Sequence, residues 1–170
     1  MPLGTDYARQ DCSLARSLEV VGERWTLLIL RDAFFGVRRF SDFQAHLDIS
    51  KAVLSTRLEA LVADGLLSRT GEGHPEYALT HEALGLWPAL FALGQWGEQR
   101  TTPGRPRRLY RHVGCGEMAG DGRCTTCDVF PAPAAVEVRP GPGADPTLRS
   151  DPVSVALREP HRLLEPLLVR

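Results

Sequence analysis

The run 49-ISKAVLSTRLEALVADGLL-67 has the marks of a single helix. Leu54, Leu58, Leu61 and Val62 recur at helical spacing, so one side can be buried. Ser50 stands where an N-cap belongs, and Gly65 where the helix must stop. The other side is unusual. It offers Ala52, Ser55, Thr56, Glu59, Ala60 and Ala63, with Lys51 and Arg57 at the flanks. A surface helix ordinarily carries a charged outer face. This one is small and lightly charged, and is able to come close to something.

Three more helices are predicted ahead of it: 13-SLARSLEVV-21, 24-RWTLLILRDAFF-35 and 41-SDFQAHL-47. Gly22 and Gly36 end the first two, and Ser41 is a plausible N-cap for the third. Behind it, 66-LLSRT-70 and 76-EYALT-80 predict two strands, and 71-GEGHP-75 makes their joint a hairpin loop. Thr80 then caps a long helix reaching about Gln99, with Pro88 kinking it or making its early turn irregular.

Helices followed by a hairpin with a polar tip is the order of a winged helix-turn-helix. The expected fold is mainly α with a small β-hairpin, and the run at 49–67 becomes the recognition helix. A DNA major groove is about 12 Å wide, and small side chains let a helix enter it. Ser50, Ala52, Ser55 and Thr56 are then candidates for base edges. Arg38, Arg39, Lys51 and Arg57 are candidates for phosphates, where arginine forms forked bonds. Arg69 and His74 fall on or near the wing. Two alternatives stay open: Ser50 as a cap alone, and Arg57 in an ion pair with Glu59 or an acid of the second helix.

The helix after the wing has two apolar rows. Ala83, Leu86, Leu90 and Leu93 form one; Leu84, Trp87 and Phe91 form the other. A surface helix needs one stripe, so the Leu84–Trp87–Phe91 row is expected at a dimer interface with a second copy.

Composition changes near Thr101, after which Pro and Gly dominate. The expected division is a DNA-binding and dimerisation domain at 10–100, a Cys-rich module at 110–130, and a Pro/Gly-rich linker and tail at 131–170. Within the module, His112, Cys115, Cys124 and Cys127 form H-x2-C-x8-C-x2-C, with Gly114, Gly116, Gly120 and Gly122 permitting tight knuckles. Three thiolates and an imidazole make a closed tetrahedral set for structural zinc. Glu117, Asp121, Asp128 or a thiol from elsewhere are alternatives for the fourth ligand, and a redox dithiol at Cys124 and Cys127, an iron–sulfur cluster or no metal are the alternatives to zinc.

Net charge over the 170 residues is −1, so no global positive field advertises nucleic acid. Residues 1–100 carry 10 Lys and Arg against 13 Asp and Glu, and residues 101–170 carry 10 against 8. Any DNA-binding surface must therefore be local. The longest apolar runs, such as 25-WTLLIL-30, fall far short of a membrane span, and MPLGTDYARQDC lacks the apolar centre of a signal peptide. A cytoplasmic location without membrane contact is expected. No G-x-S-x-G, H-E-x-x-H or phosphate loop is present, so no enzyme is expected.

Three runs together resemble the HxlR-type winged-helix regulators: 12-CSLARSLEVVGERWTLLILRDAFFGVRRFSDF-43, the ISKAVLSTRLEALVADGLLSR run, and 76-EYALTHEALGLWPALFALGQWGEQ-99. The leading Cys, G-x-x-W-T-L-L-I-L-R, G-x-R-R-F, S-x-x-x-L-S-x-R-L and Y-x-L-T fall in the family's order; the wing loop GEGHP is short for it. The resemblance implies a homodimer on a palindromic operator of double-stranded DNA, usually a repressor of a neighbouring gene, with a small-molecule effector in reach. It also implies a role for Cys12, because the matching Cys senses oxidants, quinones or electrophiles in some members. A helix N-terminus with Arg9 and Arg16 nearby favours the Cys12 thiolate, and Asp11 opposes it. The alternative function is a winged helix that uses the Cys-rich segment to bind a protein partner.

Overall fold

The computed structural model describes residues 6, 7 and 9–169. Residues 1–5, 8 and 170, and with them part of the segment read for a signal peptide, lie outside the described residues. Four helices come first: α1 (Ser13–Val21), α2 (Thr26–Phe34), α3 (Phe40–Leu47) and α4 (Lys51–Ala63). The antiparallel hairpin of β1 (Leu67–Thr70) and β2 (Glu76–Leu79) follows, with Leu67 opposite Leu79 and Thr70 opposite Glu76.

Ser50 caps α4, its hydroxyl accepting from the Val53 N–H at 3.4 Å. Leu54, Leu58 and Leu61 bury the inner side of α4. Ser41, by contrast, is not a cap. Arg39 holds that position and Ser41 lies inside α3. The reason is tertiary: Arg39 is extended because it bridges Glu76 of β2, and the chain turns into a helix directly afterwards.

The long helix expected from Thr80 is also broken. Residues Ala83–Leu86 wind as a 3-10 turn, and α5 runs Trp87–Thr101 with Pro88 in its first turn. Proline lacks an N–H and its ring clashes with the carbonyl one turn back, so it is tolerated in a helix's first turn and not in its interior. Thr80 still caps the turn, accepting from the Ala83 N–H at 3.3 Å.

The largest departure is at the C-terminal end. Residues 131–170 were expected to be linker and tail. Instead β4 (Val136–Pro140) lies between β3 (Arg108–His112) and β5 (His161–Arg162) in an antiparallel three-stranded sheet. A short helix, α6 (Pro152–Ala156), packs on α3. Val136, Val138, Val153, Leu157 and Leu163 are at most 1 % exposed and share one core with Phe34, Trp87 and Phe91. Val136 and Val138 alternate with period two, a strand signal that the surrounding Pro and Gly obscured. The chain then clips onto the end of α2. Leu164 N–H donates to the Phe34 carbonyl at 2.8 Å, and Leu167 N–H to the Gly36 carbonyl at 2.9 Å. Gly36 is required here: its φ is +85°, and a Cβ would sit 1.8 Å from the Glu165 carbonyl oxygen.

Burial also corrects the expected dimer interface. Trp87 and Phe91 are 2 % and 3 % exposed, and Leu84 is half-buried against the core. Trp87 lies 5.3 Å from the Phe34 ring and 5.8 Å from Tyr110 of β3; Phe91 lies 5.2 Å from Tyr110 and 6.1 Å from Phe130. The C-terminal sheet takes the row that was assigned to a second copy. Farther along α5, Leu93 and Trp96 are 50 % and 56 % exposed.

Candidate nucleic-acid interface and metal centre

α3 and α4 with the hairpin form the helix-turn-helix and its wing. The turn between the helices is tight: Asp48 adopts a left-handed φ of 52°, and Ile49 beside it is buried. Lys51, Ala52 and Thr56 stand exposed on α4, as does the capping Ser50. The Thr56 hydroxyl donates back to the Ala52 carbonyl at 3.0 Å, and Ser55, half-buried, donates to Glu59 at 2.9 Å. Arg69 on β1 and His74 in the loop are exposed. Lys51 and Arg69 form no ion pair among the described residues.

Three candidate arginines are placed differently from one another. Arg39 is exposed and loosely paired with Glu76 at 3.7 Å, next to the wing. Arg38 is half-buried and donates to the Leu164 carbonyl at 3.4 Å, so the C-terminal clip holds it. Arg57 pairs with Glu23 at 3.1 Å, and its Nε is buried without a partner. The internal ion pair left open for Arg57 is realised, with the acid just ahead of α2 rather than in it.

Cys12 is exposed at the N-cap position of α1. Arg16 lines the same shallow pocket as Cys12 and is engaged by Glu19 at 3.0 Å, also donating to the Tyr7 carbonyl.

The Cys-rich module is built on the end of β3, which supplies His112. A first turn is closed by Cys115 N–H to the His112 carbonyl at 3.0 Å and His112 N–H to the Gly116 carbonyl at 2.8 Å. A second carries Cys124 and Cys127, with Asp128 in the left-handed region at φ 57°. Gly122 has φ +86°, and a Cβ there would lie 2.1 Å from the Phe130 ring. The ligand atoms of His112, Cys115, Cys124 and Cys127 all lie within 4.8 Å of one another. The Cys115–Cys124 sulfurs are 3.6 Å apart, and Cys127 Sγ is 3.5 Å from His112 Nδ1. Tetrahedral zinc with ordinary bond lengths needs edges of about 3.8 Å between sulfurs and about 3.6 Å from sulfur to nitrogen. The donors fit that set after the widest edge tightens. Of the alternatives for the fourth ligand, Glu117 is engaged by Arg139 at 2.8 Å and Asp128 by Arg123 at 3.5 Å, while Asp121 accepts from the Arg123 N–H at 2.9 Å.

A hydrogen bond from the Cys127 backbone N–H, helped by that of Thr126, brings the Cys124 thiol down to about 6. Cys115, hydrogen-bonded to Cys124, is pushed up to about 11. Three sulfurs and an imidazole gathered this closely are a soft donor set that suits zinc.

Sequence reasoning missed one polar network. Asp32 is fully buried in α2, where Arg31 donates to it at 2.7 and 2.9 Å and His46 Nδ1 of α3 lies 2.8 Å away. A lone acid inside the apolar run LLILRDAFF was the available signal. Nearby, Arg108 and Tyr110 of β3 face the same cleft.

The sequence from 20 to 105 matches the family described as HxlR-like helix-turn-helix. The chain belongs to this family. An uncharacterised HTH-type transcriptional regulator of Mycobacterium tuberculosis, Rv3095, is 45 % identical over 146 residues, covering 81 % of this chain and 91 % of its own. That similarity extends past the winged helix, into the C-terminal part. YtfH of Escherichia coli, also described as an uncharacterised HTH-type transcriptional regulator, is 34 % identical over 100 residues, 56 % of this chain and 79 % of its own. Among solved structures, PA1607, described as a candidate transcription factor, has a TM-score of 0.59 at 35 % identity and covers 71 % of this chain and 93 % of its own. The chain is therefore a transcriptional regulator of the helix-turn-helix type, and DNA is the partner that its family implies. Among the described residues no helix is long and apolar enough to cross a membrane.

Proposed function

We propose that this HxlR-like chain is a homodimeric, cytoplasmic repressor that reads a palindromic operator with α4 and holds flanking phosphates with its wing. One observation carries the reading: the exposed side of α4 is small, with Lys51 at one end and Arg69 on the adjoining wing, neither of them ion-paired among the described residues. Ala52 and Thr56 would face base edges, and Arg39 and His74 would lie near the backbone. Arg38 and Arg57 drop out as phosphate contacts, since each is engaged inside the chain.

Dimerisation would use exposed apolar groups: Leu14 and Leu18 of α1, at 66 % and 41 %, with Leu93 and Trp96 of α5. A twofold dimer would set half-sites about 34–36 Å apart or a multiple of it. Zinc, held by His112, Cys115, Cys124 and Cys127, would supply folding energy to the knuckles and no chemistry of its own. Release from the operator would follow oxidation of Cys12 or binding of a small effector.

The test is binding to the chain's own upstream DNA at two salt concentrations, for wild type and for Lys51→Ala with Arg69→Ala. Wild type binds selectively, and the double variant binds more weakly with a salt slope shallower by about one per lost phosphate contact. Equal affinity and slope would sink the α4-and-wing reading and bring forward a protein partner. Cys12→Ser should keep operator affinity and lose any oxidant-driven release.

A further inference from the structure

We propose that the cleft between α2, α3, α5 and β3 is a binding site for a small organic acid: a carboxylate on a flat apolar body. The cleft has a volume of about 290 Å³, suited to a small one-ring acid. Its charges do not balance. Arg31 is matched by Asp32 at 2.7 Å. Arg107 is matched by Glu98 at 3.4 Å, and Glu98 also accepts from Thr102 and from the Arg107 N–H. Arg108 forms no ion pair among the described residues; its one hydrogen bond goes to the Leu157 carbonyl at 2.6 Å. Yet Arg108 is half-buried, and that burial lowers its pKa from the ordinary guanidinium value. Glu98 of the cleft, already paired with Arg107, is the nearby carboxylate and offsets only part of that burial cost, and an anion in the cleft would offset more of it.

A second group points the same way. Tyr110 lines the cleft, and its hydroxyl makes no hydrogen bond among the described residues. Burial pushes its pKa up to about 12, so at neutral pH it stays a neutral hydroxyl able to donate to a ligand. One carboxylate would take the free N–H groups of Arg108 and the Tyr110 O–H together. The rest of such a ligand would lie against Phe35 and the bare backbone of Gly94, whose missing Cβ would meet no atom within 4 Å.

The cleft also has the right place for control. His46, on the first helix of the helix-turn-helix, lines it beside Arg108 of the C-terminal sheet. An occupant would touch both parts of the core and bias how α3 sits on α2. That regulatory consequence rests on the operator reading above; the binding itself does not.

Calorimetry on the full chain, without DNA, tests the site with benzoate, 4-hydroxybenzoate and phenylacetate against neutral benzamide and inorganic phosphate. At least one of the acids should saturate near one per chain, with benzamide silent. Arg108→Gln should weaken it about tenfold or more, as a charge-assisted fork is lost. Gly94→Phe, which keeps every polar group and fills the cleft, should abolish it; its near-ultraviolet circular dichroism checks that it folds. No saturable acid, equal binding by Arg108→Gln, or phosphate binding as well as the acids would overturn the proposal. Repeating the operator titration with the bound acid should change affinity about fivefold or more in wild type and not in Gly94→Phe. Acid binding without operator binding would fault the repressor reading alone.

Discussion

Asp32 is the residue on which the helix-turn-helix turns. It has no exposed surface, and it joins α2 to α3 through His46 while holding Arg31. Asp32→Ala leaves Arg31 and His46 without their shared carboxylate and should cost about 3 kcal/mol, read by urea unfolding. A loss below about 1 kcal/mol would mean that water already satisfies the network. Tyr110 sets an alkaline limit. Its ordinary value is 10.0 and burial raises it to about 12, so between these pH values the folded chain binds the extra proton. Stability from this group is therefore full below pH 10 and declines as the pH rises through 12. Tyr110 should give a late step in a phenolate absorbance titration, and Tyr110→Phe should remove that step. Retention of the step in the variant would assign it elsewhere.

At the scale of elements, α4 combines a cap, an apolar inner side and a bare outer side. Ser50→Ala should lower stability by about 1 kcal/mol and Ser50→Gly by a few tenths, because the hydroxyl accepts from the Val53 N–H. If Ser50 also reaches a base, both variants lose operator affinity beyond what stability explains. α5 divides its residues by depth. Trp87 and Phe91 near its start belong to the core, whereas Leu93 and Trp96 lie open, the latter under Arg100 at 4.9 Å. Trp96→Glu with Leu93→Glu should leave the fold intact and turn a dimer into a monomer in size-exclusion light scattering. A dimer that survives the change would place the interface elsewhere.

Over the whole molecule, the winged helix and the C-terminal sheet share one hydrophobic core, which Phe34, Trp87, Val136 and Leu163 occupy together. They should therefore unfold as a unit. A strong zinc chelator, or Cys124→Ser, should lower the melting temperature of the entire chain by about 5 °C or more in a single transition. Two separate transitions would show that the knuckles stand alone.

The recognition helix, its cap and the wing were legible in the sequence, because local periodicity and turn residues are enough to form them. The spacing H-x2-C-x8-C-x2-C likewise announced its donors, since thiols and imidazole at knuckle spacing carry their chemistry wherever they are folded. What occupies a helix face is a different matter. The apolar row of Trp87 and Phe91 looks the same whether a second copy or the chain's own sheet covers it, and strands of two to five residues among prolines announce no partner. Arg38 and Arg57 are equally silent, for a cation's partner is chosen by which carbonyl or carboxylate the fold brings near. So the sequence by itself determined the helix-turn-helix, the wing and the His/Cys cluster. Only tertiary packing decided which apolar faces stay open, which arginines are free, and that Arg108 and Tyr110 meet in one cleft, because those outcomes depend on contacts between residues far apart in the chain.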